Sequence, residues 1–235
     1  MQPTFTNRVH TCLVTEYAGE PIATASTRVA LLEATRQCIT GHQSLLEKAR
    51  ILHCDVSTGN LLINENPNAR YFGCLLDLDH AVELKLDGSS GVRGRGTIPF
   101  QAIGVLLGEQ NSVMNDLESF FWVLFWICIF YGEPSEEKIV LRYDKWLYLI
   151  DADLATEKAE EVQNEECFLQ NAANNFTTTY QPLIPWLNKL RKVLFPNGER
   201  RSTLDMGLYD EMQKILKEAQ TDPNVIGKRQ RKLST

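Results

Sequence analysis

Apolar residues recur at helical intervals along much of the chain. Between Ser26 and Arg50 they lie three or seven positions apart, which predicts one long helix with Ser26 as its cap. These positions are Val29, Leu32, Ile39 and Leu46. The same periodicity predicts further helices near 114–131, 136–150, 155–172, 183–195 and 204–219. We therefore expect a mainly α fold.

Two short apolar runs interrupt the helical pattern: LLI at 61–63 and YFGCLLDL at 71–78, separated by the turn-rich NENPNAR. Because the two runs are close in sequence, they are predicted to pair as an antiparallel hairpin. If Leu61 faces Leu76, then Asn60 and Asp77 lie side by side at the open end of this hairpin. The same register places Ile63 opposite Cys74.

The remaining segments indicate one domain. The strand-like run TCLVTEYAGEPI at 11–22 passes into a turn at Gly19 and Pro21, and the glycine-rich DGSSGVRGRGT at 87–97 predicts a flexible loop. We find no internal repeat and no linker that would divide the chain. Residues 1–220 are therefore expected to form the domain, and residues 221–235 a basic, flexible tail.

Composition excludes several classes of protein. The 235 residues carry a net charge of −6, which argues against nucleic-acid binding, because a dense basic run occurs only at KRQRK in 228–232. The most apolar segment, FFWVLFWICIFY at 120–131, is short for a membrane span and predicts a buried core helix. The six cysteines show no CxxC pair, and the N-terminus does not resemble a signal peptide. We expect reduced thiols in an intracellular protein, cytoplasmic or nuclear.

Candidate chemistry lies in ILHCDVSTGN at 51–60, where Asp55 and Asn60 flank the start of the hairpin that ends at Asp77. Three side chains that carry oxygen can therefore converge. Such oxygens suit Mg²⁺, which takes its remaining ligands from water and substrate phosphates. Each residue also has a simpler reading, since Asp and Asn commonly cap turns and a lone histidine such as His53 is more often a core residue.

Four stretches in order make the catalytic reading more specific: LHCDVSTGNLLI (52–63), LLDLDHAVEL (75–84), GTIPFQAIGVL (96–106) and NDLESFFWVLFWIC (115–128). The first contains the pattern HxDxxxxN, which is close to the catalytic loop of protein kinases. Together the four stretches resemble the fungal-type protein kinases. The resemblance implies the large C-terminal lobe of a protein kinase-like fold, helical, with a small hairpin at the catalytic loop.

The resemblance also implies roles for individual residues. Asp55 would be the catalytic base, Thr97 would contact it, and His53 would be a structural member of the loop. Asn60 and Asp77 would hold Mg²⁺ on the phosphates of ATP, and Asp116 would hold the backbone of the catalytic loop. Leu62 would form the floor of the adenine pocket, and Thr15, Glu16 and Tyr17 would be the hinge that meets adenine.

The chain departs from the kinase pattern at two charged positions and upstream of the catalytic loop. Cys54 replaces an Arg that pairs with a phosphorylated activation loop, and Gly104 replaces a Glu that makes a structural ion pair, so we expect that brace to be absent. No GxGxxG loop and no strand lysine followed by a helix glutamate precede residue 52. We therefore expect the small lobe to be absent from this chain, which predicts weak or no transfer by the chain alone.

Three functions remain open. The first is an ATP- and Mg²⁺-dependent Ser/Thr protein kinase domain acting on a protein substrate. The second is a non-catalytic scaffold that keeps the kinase lobe as a binding surface, with a partner covering the apolar face where a small lobe would dock. The third is a small-molecule phosphotransferase of the aminoglycoside type, against which GTIPF and DLES argue because they belong to the protein-substrate side of the kinase fold.

Overall fold

A computed structural model describes residues 17–132, 140–201 and 203–227. Helix α1, Arg28–Ala49, begins at Thr27, whose side chain accepts a hydrogen bond from the Ala30 amide at 3.0 Å. The helix cap therefore lies one residue after the predicted Ser26. Arg50 ends the helix in the left-handed conformation, with φ 55°.

In the residues that the structure describes, five short strands form two small antiparallel sheets. They are β1 (Glu20–Pro21), β2 (Ile51–Leu52), β3 (Leu61–Ile63), β4 (Gly73–Leu75) and β5 (Val82–Glu83). One sheet has the order β1-β3-β4, and β2 pairs with β5 in the other. The hairpin of β3 and β4 is therefore present, although β4 covers only three residues of the run predicted at 71–78.

The hairpin register differs from the predicted one by one residue. Leu61 pairs with Leu75, not Leu76, and Ile63 pairs with Gly73, not Cys74. Packing against α1 explains this register, because a Cβ at residue 73 would lie 2.4 Å from the carbonyl oxygen of Ala34. Only glycine fits where β4 crosses the helix this closely, and its position fixes the pairing.

Eight further helices follow in the described residues. They are α2 (Ile103–Leu106), α3 (Val113–Phe130), α4 (Leu141–Asp144), α5 (Asp151–Gln163), α6 (Glu165–Asn175), α7 (Ile184–Leu194), α8 (Gly207–Ala219) and α9 (Pro223–Ile226). The mainly α prediction is confirmed.

Three predicted helix boundaries are wrong. The helix predicted at 155–172 is two helices, because the Asn164 side chain accepts from the Cys167 amide and starts α6. In place of the helix predicted at 136–150, the described part has only α4 and one 3-10 turn, Lys145–Leu147. The last long helix begins at Gly207 rather than at residue 204. Helix α9 lies in the stretch expected to be a flexible tail, and its Val225 is buried.

Helix α3 forms the centre of the core. Its length and composition would suit a membrane span, but 94% of it is buried inside the protein. Phe125 lies in an aromatic cluster around it and is completely buried. Its ring contacts are Phe121, Trp122, Tyr143, Trp146, Phe168 and Phe176. The prediction of a core helix is confirmed.

Replacing Phe125 by alanine should lower the free energy of unfolding by about 3–5 kcal/mol, because the surrounding rings cannot collapse into the cavity. Urea unfolding followed by circular dichroism measures this change. Tyr148, which is 84% exposed, gives a matched control, and Tyr148→Ala should change stability by about 0.5 kcal/mol or less. Equal losses in the two variants would show that α3 is not the core.

Candidate active site

The predicted catalytic loop, residues 51–60, is held by one buried carboxylate. Oδ2 of Asp116 accepts hydrogen bonds from the backbone amides of His53 and Cys54, each at 3.0 Å. The Ser112 side chain caps α3 and places Asp116 in its first turn, where the helix dipole favours a negative charge. The sequence assigned this role to Asp116, and the contacts are those it requires.

Two further partners complete this carboxylate site, and sequence reasoning missed both. Nε2 of His42 lies 2.9 Å from Oδ2 of Asp116, and its Nδ1 lies 2.5 Å from the Tyr209 hydroxyl. Both His42 and Tyr209 are fully buried. The helical period of α1 indicates that His42 faces the core. Nothing in the sequence pairs it with Asp116 and Tyr209, which lie 74 and 167 positions further along the chain.

His53 joins the catalytic loop to the hairpin. Its Nδ1 accepts from the Asp55 amide at 3.2 Å, so Nε2 carries the proton and donates to the Leu76 carbonyl at 2.9 Å. Burial lowers the pKa of His53, which keeps the ring neutral near pH 7. The ring therefore fixes the residue directly before Asp77.

Asp55 receives hydrogen bonds from both sides. Its Oδ1 accepts from the amide and the hydroxyl of Thr97, each at 2.8 Å. Nδ2 of Asn60 donates to the Asp55 carbonyl at 2.9 Å and to its Oδ2 at 3.2 Å. Asp55 remains half-buried, so a substrate hydroxyl can reach it. The structure thus brings Asp55, Asn60 and Thr97 together.

Asp77 lies just beyond the hairpin pair that Asn60 closes, because the Leu76 amide donates to the Asn60 carbonyl at 2.8 Å. Its side chain is exposed, and its Oδ1 accepts from the Asp79 amide. Within the described ranges, no hydrogen bond joins it directly to Asp55 or Asn60. The register shift accounts for this offset, since Asp77 lies one residue past the position opposite Asn60.

The side-chain oxygen atoms at this end of the hairpin are suitable ligands for a hard cation. Asn60 uses its Nδ2 for Asp55, which leaves its amide oxygen for a ligand, and Asp77 keeps an exposed carboxylate. No group of three or more His, Cys, Asp or Glu in the described residues forms a complete metal site. Two protein ligands fit Mg²⁺, because this ion keeps waters and takes substrate phosphates.

The backbone is unusual at two positions of the site. Cys54 and Asp77 adopt φ of 65° and 64°, in the left-handed region that residues other than glycine rarely occupy. Conformations of this kind persist only where the surrounding contacts impose them, and they cluster at functional sites. Both residues flank contacts already described: Cys54 donates its amide to Asp116, and Asp77 follows the carbonyl held by His53.

The residues assigned to adenine binding are only partly described. Thr15 and Glu16 lie outside the described residues. Tyr17 is 67% exposed and donates its hydroxyl to Glu20 at 2.8 Å. Leu62 is buried in the central strand, opposite Pro21 and Cys74. The adenine roles of all four residues stay predictions.

Cys54 is an apolar replacement rather than a reactive thiol. It is buried, and burial raises its pKa to about 12, so the thiol stays neutral. A neutral thiol cannot pair with a phosphate. The loop at 87–97 is held by other groups: the Arg95 side chain donates to the His80 carbonyl at 2.6 Å, and Nδ2 of Asn111 donates to the Arg95 carbonyl at 3.1 Å.

The expectation that Gly104 removes a structural ion pair is wrong. Arg200 and Glu109 form a bidentate pair at 3.0 and 2.9 Å directly over this glycine. A Cβ on residue 104 would lie 2.5 Å from Nη1 of Arg200 and 2.4 Å from Oε2 of Glu109. The carboxylate therefore comes from a residue five positions later, and the glycine makes room for it.

Removing the Asp116 carboxylate should destabilise the fold strongly. Asp116→Ala leaves two backbone amides and His42 without their acceptor, which should cost about 3–5 kcal/mol of unfolding free energy. Urea unfolding measures this loss. Glu211→Ala, at an exposed acidic position on α8, is the control and should change stability by about 0.5 kcal/mol or less. A loss in Asp116→Ala no larger than in the control would contradict the role given to this carboxylate.

Comparison with known proteins is consistent with this geometry. A family model described as fungal protein kinase matches residues 2–128, which is more than half of the 235-residue chain. The matched stretch includes the catalytic loop, the hairpin, Thr97 and most of α3. No curated protein matches the chain. The chain belongs to the fungal protein kinase family.

Proposed function

We propose that this domain transfers the γ-phosphoryl group of ATP, with Mg²⁺, to serine or threonine hydroxyls of a protein. The observation that carries this proposal is the geometry of Asp55. Thr97 donates twice to Oδ1 of its carboxylate, Asn60 donates to Oδ2, and Asp116 fixes the backbone before it. A carboxylate oriented in this way can accept the proton of an attacking hydroxyl.

The chemistry of phosphoryl transfer asks mainly for position and charge. Asp55 would orient the substrate hydroxyl. The hydrogen bonds that its carboxylate accepts from Thr97 and Asn60 would keep one of its oxygens directed at the proton of that hydroxyl. Asn60 and Asp77 would hold the Mg²⁺, which when bound neutralises charge on the phosphates. His53, neutral and bonded at both ring nitrogens, would keep these two residues in register.

The location of the protein is also a proposal. All five cysteines in the described part of the chain are free, and three of them are buried. Reduced thiols are typical of intracellular proteins, which supports a cytoplasmic or nuclear location.

The activity can be tested with labelled ATP and a generic protein substrate. Asp55→Asn should reduce transfer by about 10²–10⁴-fold, because the hydroxyl loses its proton acceptor. Asp153→Asn, at an exposed position on α5, is the matched control and should leave the rate unchanged. Calorimetry with Mg²⁺ and ATP separates binding from transfer.

The outcomes separate the functions left open by the sequence. Nucleotide binding with transfer lost in Asp55→Asn supports the kinase. No binding at millimolar nucleotide supports the non-catalytic scaffold. Transfer to an aminoglycoside but to no protein supports the small-molecule phosphotransferase.

We further propose that a partner resembling a small kinase lobe covers the groove between α1 and β4. This groove has a volume of about 600 Å³, and its apolar lining includes Leu45, Leu75 and the partly exposed Tyr71 and Leu78. Within the described residues β4 has a strand on one side only, and on its other side the Gly73 amide donates to the Gln37 side chain. The family resemblance supports this occupant, because a small lobe docks against the large lobe in protein kinases.

Without such a partner, the groove should promote self-association. Light scattering should then show species heavier than the 26.7 kDa monomer. Leu78→Glu should restore the monomer, whereas Ile226→Glu, at an apolar residue of similar exposure on α9, should not. A soluble monomer of the unmodified chain across a concentration series would count against this surface.

A further inference from the structure

A buried lysine from the helical core reaches the segment that carries Thr97. Lys158 on α5 is completely buried, and its Nζ donates to the backbone carbonyl of Gln101 at 2.6 Å. The ammonium also lies over the indole rings of Trp122 and Trp146, at 4.7 and 5.4 Å from their centroids. Aromatic faces attract a cation, so these rings replace part of its lost hydration.

A buried carboxylate holds the same segment two residues further on. Oε1 of Glu118 on α3 accepts from the Ile103 amide at 2.8 Å and from the Trp122 indole at 2.9 Å. Across the described residues, no salt bridge joins Lys158 to Glu118. Lys158 therefore binds a backbone carbonyl oxygen, and Glu118 binds a backbone amide. Both side chains hold the backbone between Gln101 and Ile103.

Hydrogen bonds lead from this backbone to Asp55. The Gln101 amide donates to the Thr97 carbonyl at 3.1 Å, and its side chain donates to the Gly96 carbonyl at 2.8 Å. Gly96 has φ 118°, and a Cβ there would lie 3.1 Å from the Cys54 carbonyl. The turn is therefore packed directly onto the catalytic loop, where Thr97 donates to Asp55.

We propose that Lys158 is a positioning residue for Asp55: by binding the Gln101 carbonyl, its ammonium fixes the turn from Gly96 to Gln101 and so holds Thr97 on the Asp55 carboxylate. The catalytic meaning of this position rests on the proposed function. The contact itself does not, since it joins groups of the chain alone. Burying a charge is costly unless the charged group is paired or hydrogen-bonded. The Lys158 ammonium is hydrogen-bonded to the backbone of the turn from Gly96 to Gln101.

The charge on Lys158 is sensitive to pH. Burial lowers its pKa to about 7, and the Glu118 carboxylate opposes this shift. Burial raises the pKa of Glu118, while Arg200 and Lys158 lower it. Two other groups near the turn stay neutral as the pH rises just above 7, because burial lowers the pKa of His53 and raises that of Cys54 to about 12. Because Lys158 binds its proton less tightly in the closed turn than it would in water, raising the pH above 7 should favour the closed turn over any opening that exposes Lys158 to solvent.

Amide hydrogen exchange of the full chain tests this proposal. In Lys158→Met, which keeps the length of the side chain, exchange at Thr97 and Gln101 should accelerate about tenfold to a hundredfold, as expected for the loss of a charge-assisted hydrogen bond. Exchange in α8 should not change. Lys145→Met, at a partly exposed lysine paired with Glu157, is the matched control and should leave the turn protected.

A pH series adds a readout that a purely structural role would not move. In the unmodified chain, protection of the Thr97 amide, corrected for intrinsic exchange, should rise as the pH rises above about 7, because an opening that exposes Lys158 to water would have to take up a proton. In Lys158→Met the corrected protection should not vary. An equally flat profile in the unmodified chain would overturn the role of the ammonium.

A second variant keeps the test valid if Lys158→Met does not fold. Lys158→Gln keeps a polar side chain but removes the ammonium and shortens the chain, so it cannot bind the Gln101 carbonyl as the lysine does, and exchange should accelerate at Thr97 and Gln101 and stay unchanged in α8. Uniform acceleration, or none, contradicts the proposal. The measurement needs no nucleotide, so a chain that transfers no phosphate can still support the role of Lys158. Unchanged exchange in a chain that does transfer phosphate would overturn the role of Lys158 and leave the proposed function standing.

Discussion

The candidate active site depends on the buried carboxylate of Asp116. Its Oδ2 accepts two backbone amides of the catalytic loop and approaches His42, so three polar groups converge on one oxygen in the core. Such a group would be costly to bury alone, but here its partners and the first turn of α3 compensate for lost water. Because α3 is buried on nearly all sides, the loop takes its position from the centre of the packed core.

The same helix holds the other half of the site with a second carboxylate. Glu118 lies two residues after Asp116, and two residues on a helix are about 200° apart, so the two side chains leave opposite faces. Asp116 binds the catalytic loop, and Glu118 binds the Ile103 amide. The motif DLES therefore has a physical meaning: one apolar helix carries two buried anions, which hold two separate segments of the site.

The sequence predicts the elements better than it predicts how they meet. Helices α1 and α3 follow from apolar periodicity, and the hairpin follows from two apolar runs with a turn between them. The register could not be predicted, because it depends on Gly73 passing close to Ala34 on a helix distant in sequence. The split at Asn164 is a capping signal that periodicity alone overlooks.

The candidate site shows the same division. Asp55, Asn60 and Thr97 can be chosen from spacing and family resemblance, and the structure brings them into contact. The groups that support them are tertiary: Lys158 reaches Gln101 across 57 positions, and the Glu109 and Arg200 pair spans 91. A local sequence pattern contains no information about such partners. The glycine at 104 therefore predicts a missing ion pair, whereas Glu109 and Arg200 form one beside it.

These supports also bear on how the segment between the hairpin and α2 is ordered. With Cys54 neutral and buried, the segment has no arginine on the catalytic loop to receive a phosphate. Its hold comes instead from side chains bonded to backbone: Arg95 on the His80 carbonyl, Asn111 on the Arg95 carbonyl, and Lys158 on the Gln101 carbonyl. Backbone acceptors are present in every state of the chain, unlike a phosphate that must be added. The order of the segment therefore comes from contacts within the fold itself.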